Sequence, residues 1–259
     1  MTAPESLIVE RPSNDIAVLR INRPQVRNAL NLEVRTRLAD EITRCGSDDA
    51  VRCVVVTGSD AAFAAGADIG EMAEAGPVEV MSRNVQKYWR VIMDCPKPII
   101  AAVEGFALGG GLELALCADI IVAGEGAKLG LPEVKVGILP GGGGTQKLAR
   151  LVGRHRAMLL IMTGKMFGAA EALDMGVVSE VAPAGKALAR ALEIAREIAA
   201  MPAVSIMQIK EIINAGLNAP LETALMLERK AFQLQFATRD QKEGMRAFLE
   251  KRKPKFEGQ

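Results

Sequence analysis

Residues 98–146 read PIIAAVEGFALGGGLELALCADIIVAGEGAKLGLPEVKVGILPGGGGTQ, and their order decides the fold. Residues 98–103 are a continuous apolar run of the kind buried on both faces of a sheet. They lead into the turn Gly109-Gly110-Gly111, then a short helix through about Cys117, then a second apolar run at 119–123. Working outward, residues 51–57 (VRCVVVT) form another buried-strand pattern, followed by the Gly/Ala-rich loop 61–68 and a helix over about 78–93. Residues 7–9 and 16–21 read as two strands around the turn Pro12-Ser13-Asn14-Asp15, and 31–45 as a helix with Asn31 as its N-cap. The recurring strand–strand–helix order predicts an α/β fold of stacked ββα units, although the units share little sequence with one another.

The character changes near residue 184. Residues 187–201, 204–215, 221–236 and 240–251 read as helices, which divides the chain into a ββα core (1–183) and a helical C-terminal region (184–259). Apolar residues at 224, 225, 227, 231, 232 and 234 form a stripe that suits either packing within the subunit or association between subunits.

Composition narrows the function. The 259 residues carry 32 Lys+Arg against 31 Asp+Glu, a formal charge of +1 that argues against a nucleic-acid or anionic-membrane surface. Charged residues and glycines interrupt every apolar run before the ~20 residues that would span a bilayer. The opening 15 residues lack a basic-then-apolar leader pattern, which predicts a cytoplasmic protein. Four scattered cysteines without a CxxC pair, and a single histidine, His155, leave no basis for a disulfide framework or a histidine-rich metal site. Proton chemistry near neutral pH therefore falls first to carboxylates.

Glycine-dense turns ahead of helices, at 109–111 and 141–144, let backbone N–H groups approach a ligand, or simply allow tight packing. Neither fits a nucleotide fingerprint, because Gln146 stands where a P-loop would place its second glycine and where GxGxxG would place its third. Glu113 lies in the first turn of the helix after the first glycine turn, and Glu133 follows Pro132. The spacing suits a helix-dipole partner and a solvated loop glutamate as well as a catalytic pair.

The 98–146 stretch, the earlier AAFAAGADIGEM (61–72) and the closing FATRDQKEGMRAFLEKRKPKF (236–256) together resemble the enoyl-CoA hydratase/isomerase (crotonase) family. The resemblance runs over nearly the whole chain from Ile21 onward. It implies a crotonase-like spiral of ββα units with a C-terminal helical trimerisation region that also closes the CoA site, in a homotrimer or a homohexamer made of two trimers. The implied activity is reversible syn addition of water to a trans-2-enoyl-CoA, giving a 3-hydroxyacyl-CoA, as in fatty-acid β-oxidation. Coenzyme A is then part of the substrate, and neither metal nor separate cofactor is required.

Residue by residue, the resemblance implies oxyanion-hole N–H groups at Ala67 and Gly110, with Glu113 and Glu133 holding the catalytic water. The Gly141 N–H falls where the family contacts that water. Gln25, Val26 and the stretch Ala65, Ala67, Asp68, Ile69, Gly70 match the segments that hold the CoA moiety. Glu133 is assigned as proton donor to Cα and Glu113 as the partner that activates water. Gly70 departs from a common family lysine, so the phosphates must be met elsewhere, the run Lys251-Arg252-Lys253 being one source; Leu112 replaces a small residue and is expected to reshape the acyl pocket. An enoyl-CoA isomerase is the alternative, since isomerases share the oxyanion hole but usually keep one carboxylate. An RNA-binding, non-enzymatic relative is a distant one.

Overall fold

A computed structural model describes residues 5–259; the first four residues, part of the opening stretch examined for a leader, lie outside it. The chain starts with an antiparallel hairpin, β1 (Leu7–Ser13) and β2 (Ile16–Ile21), with Leu7 opposite Ile21. A 3-10 turn (Pro24–Val26) precedes α1 (Leu32–Ser47), where the Asn31 side chain accepts from Val34 N as the expected N-cap. Then come β3 (Cys53–Thr57) and β4 (Ala62–Ala64), a 3-10 turn (Ile69–Glu71), α2 (Pro77–Arg83) and α3 (Gln86–Asp94). The pattern repeats as β5 (Ile99–Val103), β6 (Phe106–Leu108) and α4 (Gly110–Ala115). It repeats again as β7 (Ile120–Gly124), β8 (Lys128–Gly130), a 3-10 turn (Glu133–Val136), α5 (Gly144–Val152) and α6 (Arg154–Thr163). The core ends with β9 (Phe167–Gly168), α7 (Ala169–Asp174) and β10 (Glu180–Ala182).

Successive strands go alternately to two sheets. β3, β5 and β7 join the six-stranded sheet β1-β2-β3-β5-β7-β10, while β4, β6 and β8 join the four-stranded sheet β4-β6-β8-β9. Each turn of the spiral therefore lays one strand in each sheet before a helical segment returns. Pairing from β2 through β10 in the larger sheet is parallel, and β3 and β5 are buried at every position, which explains their unbroken apolar runs. Gly105, at φ +58 between β5 and β6, makes one of the sheet-to-sheet bends, where a side chain would strike the Ala61 carbonyl.

Three local expectations change. The helix over 78–93 is two helices, broken where Asn84 takes a left-handed conformation (φ +42) as the C-cap of α2. α2 buries none of its residues, whereas α3 turns Tyr88, Trp89 and Ile92 inward. The Gly/Ala-rich loop contains β4. Leu112, expected to shape the acyl pocket, is fully buried in the main core.

The remaining helices are α8 (Ala187–Ala199), α9 (Ala203–Gly216), α10 (Leu221–Gln235) and α11 (Arg239–Leu249). α8 covers the outer face of the six-stranded sheet, with Ala187, Ala191, Ile194 and Ala195 packed on Val18, Val55, Ile100 and Val122. The 183/184 division thus falls just ahead of a helix that shares the sheet's core, and the helices that leave the sheet start at α9. The Lys210 ammonium anchors α9, pairing with Asp119 at 2.8 Å and donating to the Lys97 carbonyl. No helix among the described residues is long and apolar enough to cross a membrane.

Candidate active site

The carboxyl ends of β4 and β6 set two adjacent peptides side by side. After β4, Ala65 N donates to Arg27 O, and Leu30 N to Gly66 O at 2.8 Å, so residues 27–30 are zipped along 65–68. Buried Asn28 fastens this seam by donating to Ala62 O and accepting from Arg23 N. Arg23 then reaches Ala29 O and pairs with Asp68 at 3.0 Å. This holds Gln25 and Val26, both exposed on the 3-10 turn, beside the 65–70 segment; Ile69 and Gly70 are also exposed. Asp68 thus spends its charge on Arg23 and orders the loop. The sequence assigned it only to ligand binding.

Gly66 (φ +115) precedes Ala67, and Gly109 (φ +52, ψ −125) precedes Gly110. Both conformations are glycine territory, and each fixes the plane of the following peptide and hence the direction of its N–H. Among the described residues neither the Ala67 nor the Gly110 N–H has a backbone acceptor, the latter because it opens α4. The two peptides abut: a Cβ at Gly110 would lie 3.5 Å from Ala67 N and 4.0 Å from Glu113 Oε2.

Glu113 is buried in the first turn of α4. Its Oε1 accepts from Gly142 N at 2.7 Å and Gly144 N at 2.8 Å, in the glycine turn that starts α5. Burial pushes its pKa up, while the two N–H groups, then Lys147 and Arg35, pull it down. Lys147 reaches this region from α5, donating to Leu116 O and contacting Cys117 Sγ at the end of α4. Glu133, on the 3-10 turn after β8, packs instead on the 109–111 glycine turn that starts α4. A Cβ at Gly109 would lie 3.0 Å from its Oε1. Burial, with the Glu113 charge adding to it, raises Glu133 to about 7, and its Oε2 has no hydrogen-bond partner among the described residues. Two carboxyls with different environments thus lie against the 109–111 turn, whose Gly110 amide abuts that of Ala67.

Of the residues singled out in the sequence, Ala67, Gly110, Glu113 and Glu133 come together here. Gly141 is exposed, and the amides that hold Glu113 are those of Gly142 and Gly144. Arg252 is engaged by Glu243 and Glu250, so it is not free for a phosphate within its own chain, and His155 is exposed with no partner in this site. Sequence reasoning missed Trp89, whose indole nitrogen and Glu113 Oε2 both crowd the face of Gly142, as well as Arg35 and Lys147. Among the described residues, no group of three or more His, Cys, Asp or Glu side chains is disposed to hold a metal ion.

The enoyl-CoA hydratase/isomerase family model matches residues 11–259. A probable enoyl-CoA hydratase of Rhizobium meliloti is 45% identical over 252 residues, covering 97% of this chain and 98% of that protein. The 2,3-dehydroadipyl-CoA hydratase of Escherichia coli is 40% identical, with the same coverage of each. A crystal structure of an enoyl-CoA hydratase from Bacillus anthracis superposes with a TM-score of 0.94 at 36% identity, covering 98% of this chain and all of that one.

Proposed function

The chain belongs to the enoyl-CoA hydratase/isomerase family, and on that premise we propose that it is a hydro-lyase adding water reversibly and syn to trans-2-enoyl-CoA thioesters. The observation that carries this reading is the pairing of two unlike carboxyls, Glu113 and Glu133, on the glycine turn that also presents the Gly110 amide.

The thioester oxygen sits between the N–H groups of Ala67 and Gly110. As water adds to Cβ, charge moves onto that oxygen, and fixed amide donors stabilise the enolate more than the ground state. Glu113, whose pKa is raised by burial and pulled back by the Gly142 and Gly144 amides, Lys147 and Arg35, takes a proton from water as the carboxylate. Glu133, protonated by virtue of its raised pKa, gives its proton to Cα on the same face. The reverse reaction exchanges these roles. Double-bond isomerisation needs one carboxyl to shuttle a proton, and a second carboxyl facing the same turn is what water addition requires.

The CoA moiety runs along exposed Gln25, Val26, Ile69 and Gly70 and half-buried Ala65 and Asp68, with the Gly141 amide at the water's edge. No metal or separate cofactor takes part. The working form is a homotrimer, or two trimers paired as a hexamer, because α9, α10 and the turn between them expose Ile213, Leu217, Leu221, Phe232 and Leu234. The four cysteines are free and buried, which suits a reducing cytoplasm. The test is turnover of crotonyl-CoA, followed by loss of the conjugated thioester's absorbance and identification of 3-hydroxybutyryl-CoA; no hydration by the assembled protein would overturn the reading.

A further inference from the structure

Four buried side-chain atoms among the described residues lack a hydrogen-bond partner: Arg35 Nε, Trp89 Nε1, Glu133 Oε2 and Gln241 Oε1. Glu133 is accounted for by proton transfer to Cα, Arg35 acts on Glu113 through space, and Gln241 belongs to α11 in the C-terminal region. Trp89 is the only tryptophan in the chain and is 2% exposed. Its indole N–H is a donor with no part in the water addition itself.

Trp89 lies on the inward stripe of α3 with Tyr88 and Ile92. A Cβ at Gly142 would strike Trp89 Nε1 and come within 2.6 Å of Glu113 Oε2. Donor and carboxylate oxygen thus share one face of that glycine and are less than about 5 Å apart, without a hydrogen bond between them. The two oxygens of Glu113 are unequal. Oε1 accepts from the Gly142 and Gly144 amides, whereas Oε2 has no donor among the described residues. Charged and titratable groups face Glu113 from several elements: Cys117 on its own helix, Lys147 from α5, Arg35 from α1 and Glu133 from the 3-10 turn after β8. None of them donates to Oε2.

A dehydrated N–H without an acceptor is unfavourable, and a carboxylate oxygen is the strongest acceptor it can meet. With Oε1 anchored by two amides, a small rotation of the carboxylate moves Oε2 and closes the gap to the indole. Catalytic hydrogen bonds of this kind tighten when substrate fills the site. We propose that Trp89 is a positioning residue for the general base: its indole N–H donates to Oε2 of Glu113 and, with the two glycine amides, holds the carboxylate ionised and in one orientation. An indole is a donor only, so it favours the anion without competing for the proton, and Oε2 keeps a lone pair for the water. This adds a residue to the hydratase reading and rests on it.

The test has two arms. Emission from the single tryptophan reports the bond without turnover. In the wild type it should change in a step at the pH where kcat/KM for crotonyl-CoA shows its acid limb, as Glu113 is protonated, and Glu113→Gln should lack that step. The second arm is the pH profile of Trp89→Phe, which keeps an aromatic ring and removes the N–H. Without a donor to the anion the pKa of Glu113 rises, so the acid limb should move up by about one pH unit. At the optimum kcat should fall by about tenfold, with KM within a few-fold of wild type. A ring kept only for packing would lower stability and leave the limb in place. Wild-type emission that is flat across the acid limb, or a step retained in Glu113→Gln, overturns the proposal even if Trp89→Phe does not fold. An unmoved acid limb in Trp89→Phe overturns it as well. Each of these results sinks this inference alone, whereas no hydration of crotonyl-CoA by the wild type sinks the hydratase reading with it.

Discussion

Gly142 donates its backbone N–H to Oε1 of Glu113 over 2.7 Å, and this bond spans 29 residues of sequence. With Gly144 on the same oxygen, it pins one side of the carboxylate and leaves Oε2 toward Gly110 and Trp89. The helix α4 and the glycine turn before α5 thus hold a single acid between them.

Replacing the carboxyls by amides tests their roles with little disturbance. In Glu113→Gln the amide oxygen can still accept from Gly142 and Gly144, so fold and ester binding should persist while the base is lost. Glu133→Gln keeps the volume against Gly109 and removes the acid. Each should lower kcat for crotonyl-CoA by about 10²–10⁴, with CoA-ester affinity by calorimetry within a few-fold of wild type. Near-normal turnover in either variant would contradict the paired-acid mechanism.

The pH profile follows from Glu133 at about 7. Turnover needs one proton on the pair, ready for Cα in hydration and for the leaving hydroxyl in dehydration. As pH rises through about 7 that proton is lost, so kcat/KM should fall, approaching tenfold per unit well above it. Water addition consumes no net proton, so the forward and reverse profiles should fall in parallel. A hydration rate that climbs between pH 7 and 9 would reverse the assignment of Glu133 as the acid.

The spiral was legible because β3 and β5 are buried on both faces and so appear as unbroken apolar runs, and because Asn31 is a cap in sequence and in space. Glu113, Glu133, Ala67 and Gly110 stood out beside glycine turns in motifs that resembled a family. Their distances came only from the fold. Which amides of the 141–144 run hold Glu113 depends on how that turn enters α5, and four identical residues in a row do not reveal it. Arg35 and Trp89 were silent for another reason: each sits at helical spacing among core residues, and only the missing partner marks it. The break at Asn84 was hidden because an asparagine is also an ordinary helix-surface residue until its φ is known.

Gly109 holds a backbone conformation that favours glycine, beside Glu133. Gly109→Ala would force a Cβ at φ +52, ψ −125, within 3.0 Å of Glu133 Oε1. The strain should cost about 1–3 kcal/mol of stability, seen as a lower midpoint in urea. Relief by rotating the 109–110 peptide would turn the Gly110 N–H away, at a cost of about 10²–10³ in kcat. An alanine variant with wild-type kcat would show that this amide does not stabilise the enolate.

The C-terminal helices supply the last test. α9 buries none of its residues in the single chain and α10 only Ala231, while Leu217, Leu221, Phe232 and Leu234 are each more than 60% exposed. Apolar surface of this extent on paired helices is stable in water when another subunit covers it. The wild type should therefore sediment as a trimer or hexamer at micromolar concentration. Phe232→Glu combined with Leu234→Glu should shift it toward monomer, since burying two unpaired carboxylates against an apolar partner costs several kcal/mol. The sheet core, with its own buried clusters and the Lys210–Asp119 tether, should keep its circular dichroism spectrum. A wild-type monomer, or a double variant that sediments unchanged, would remove these helices from the subunit interface.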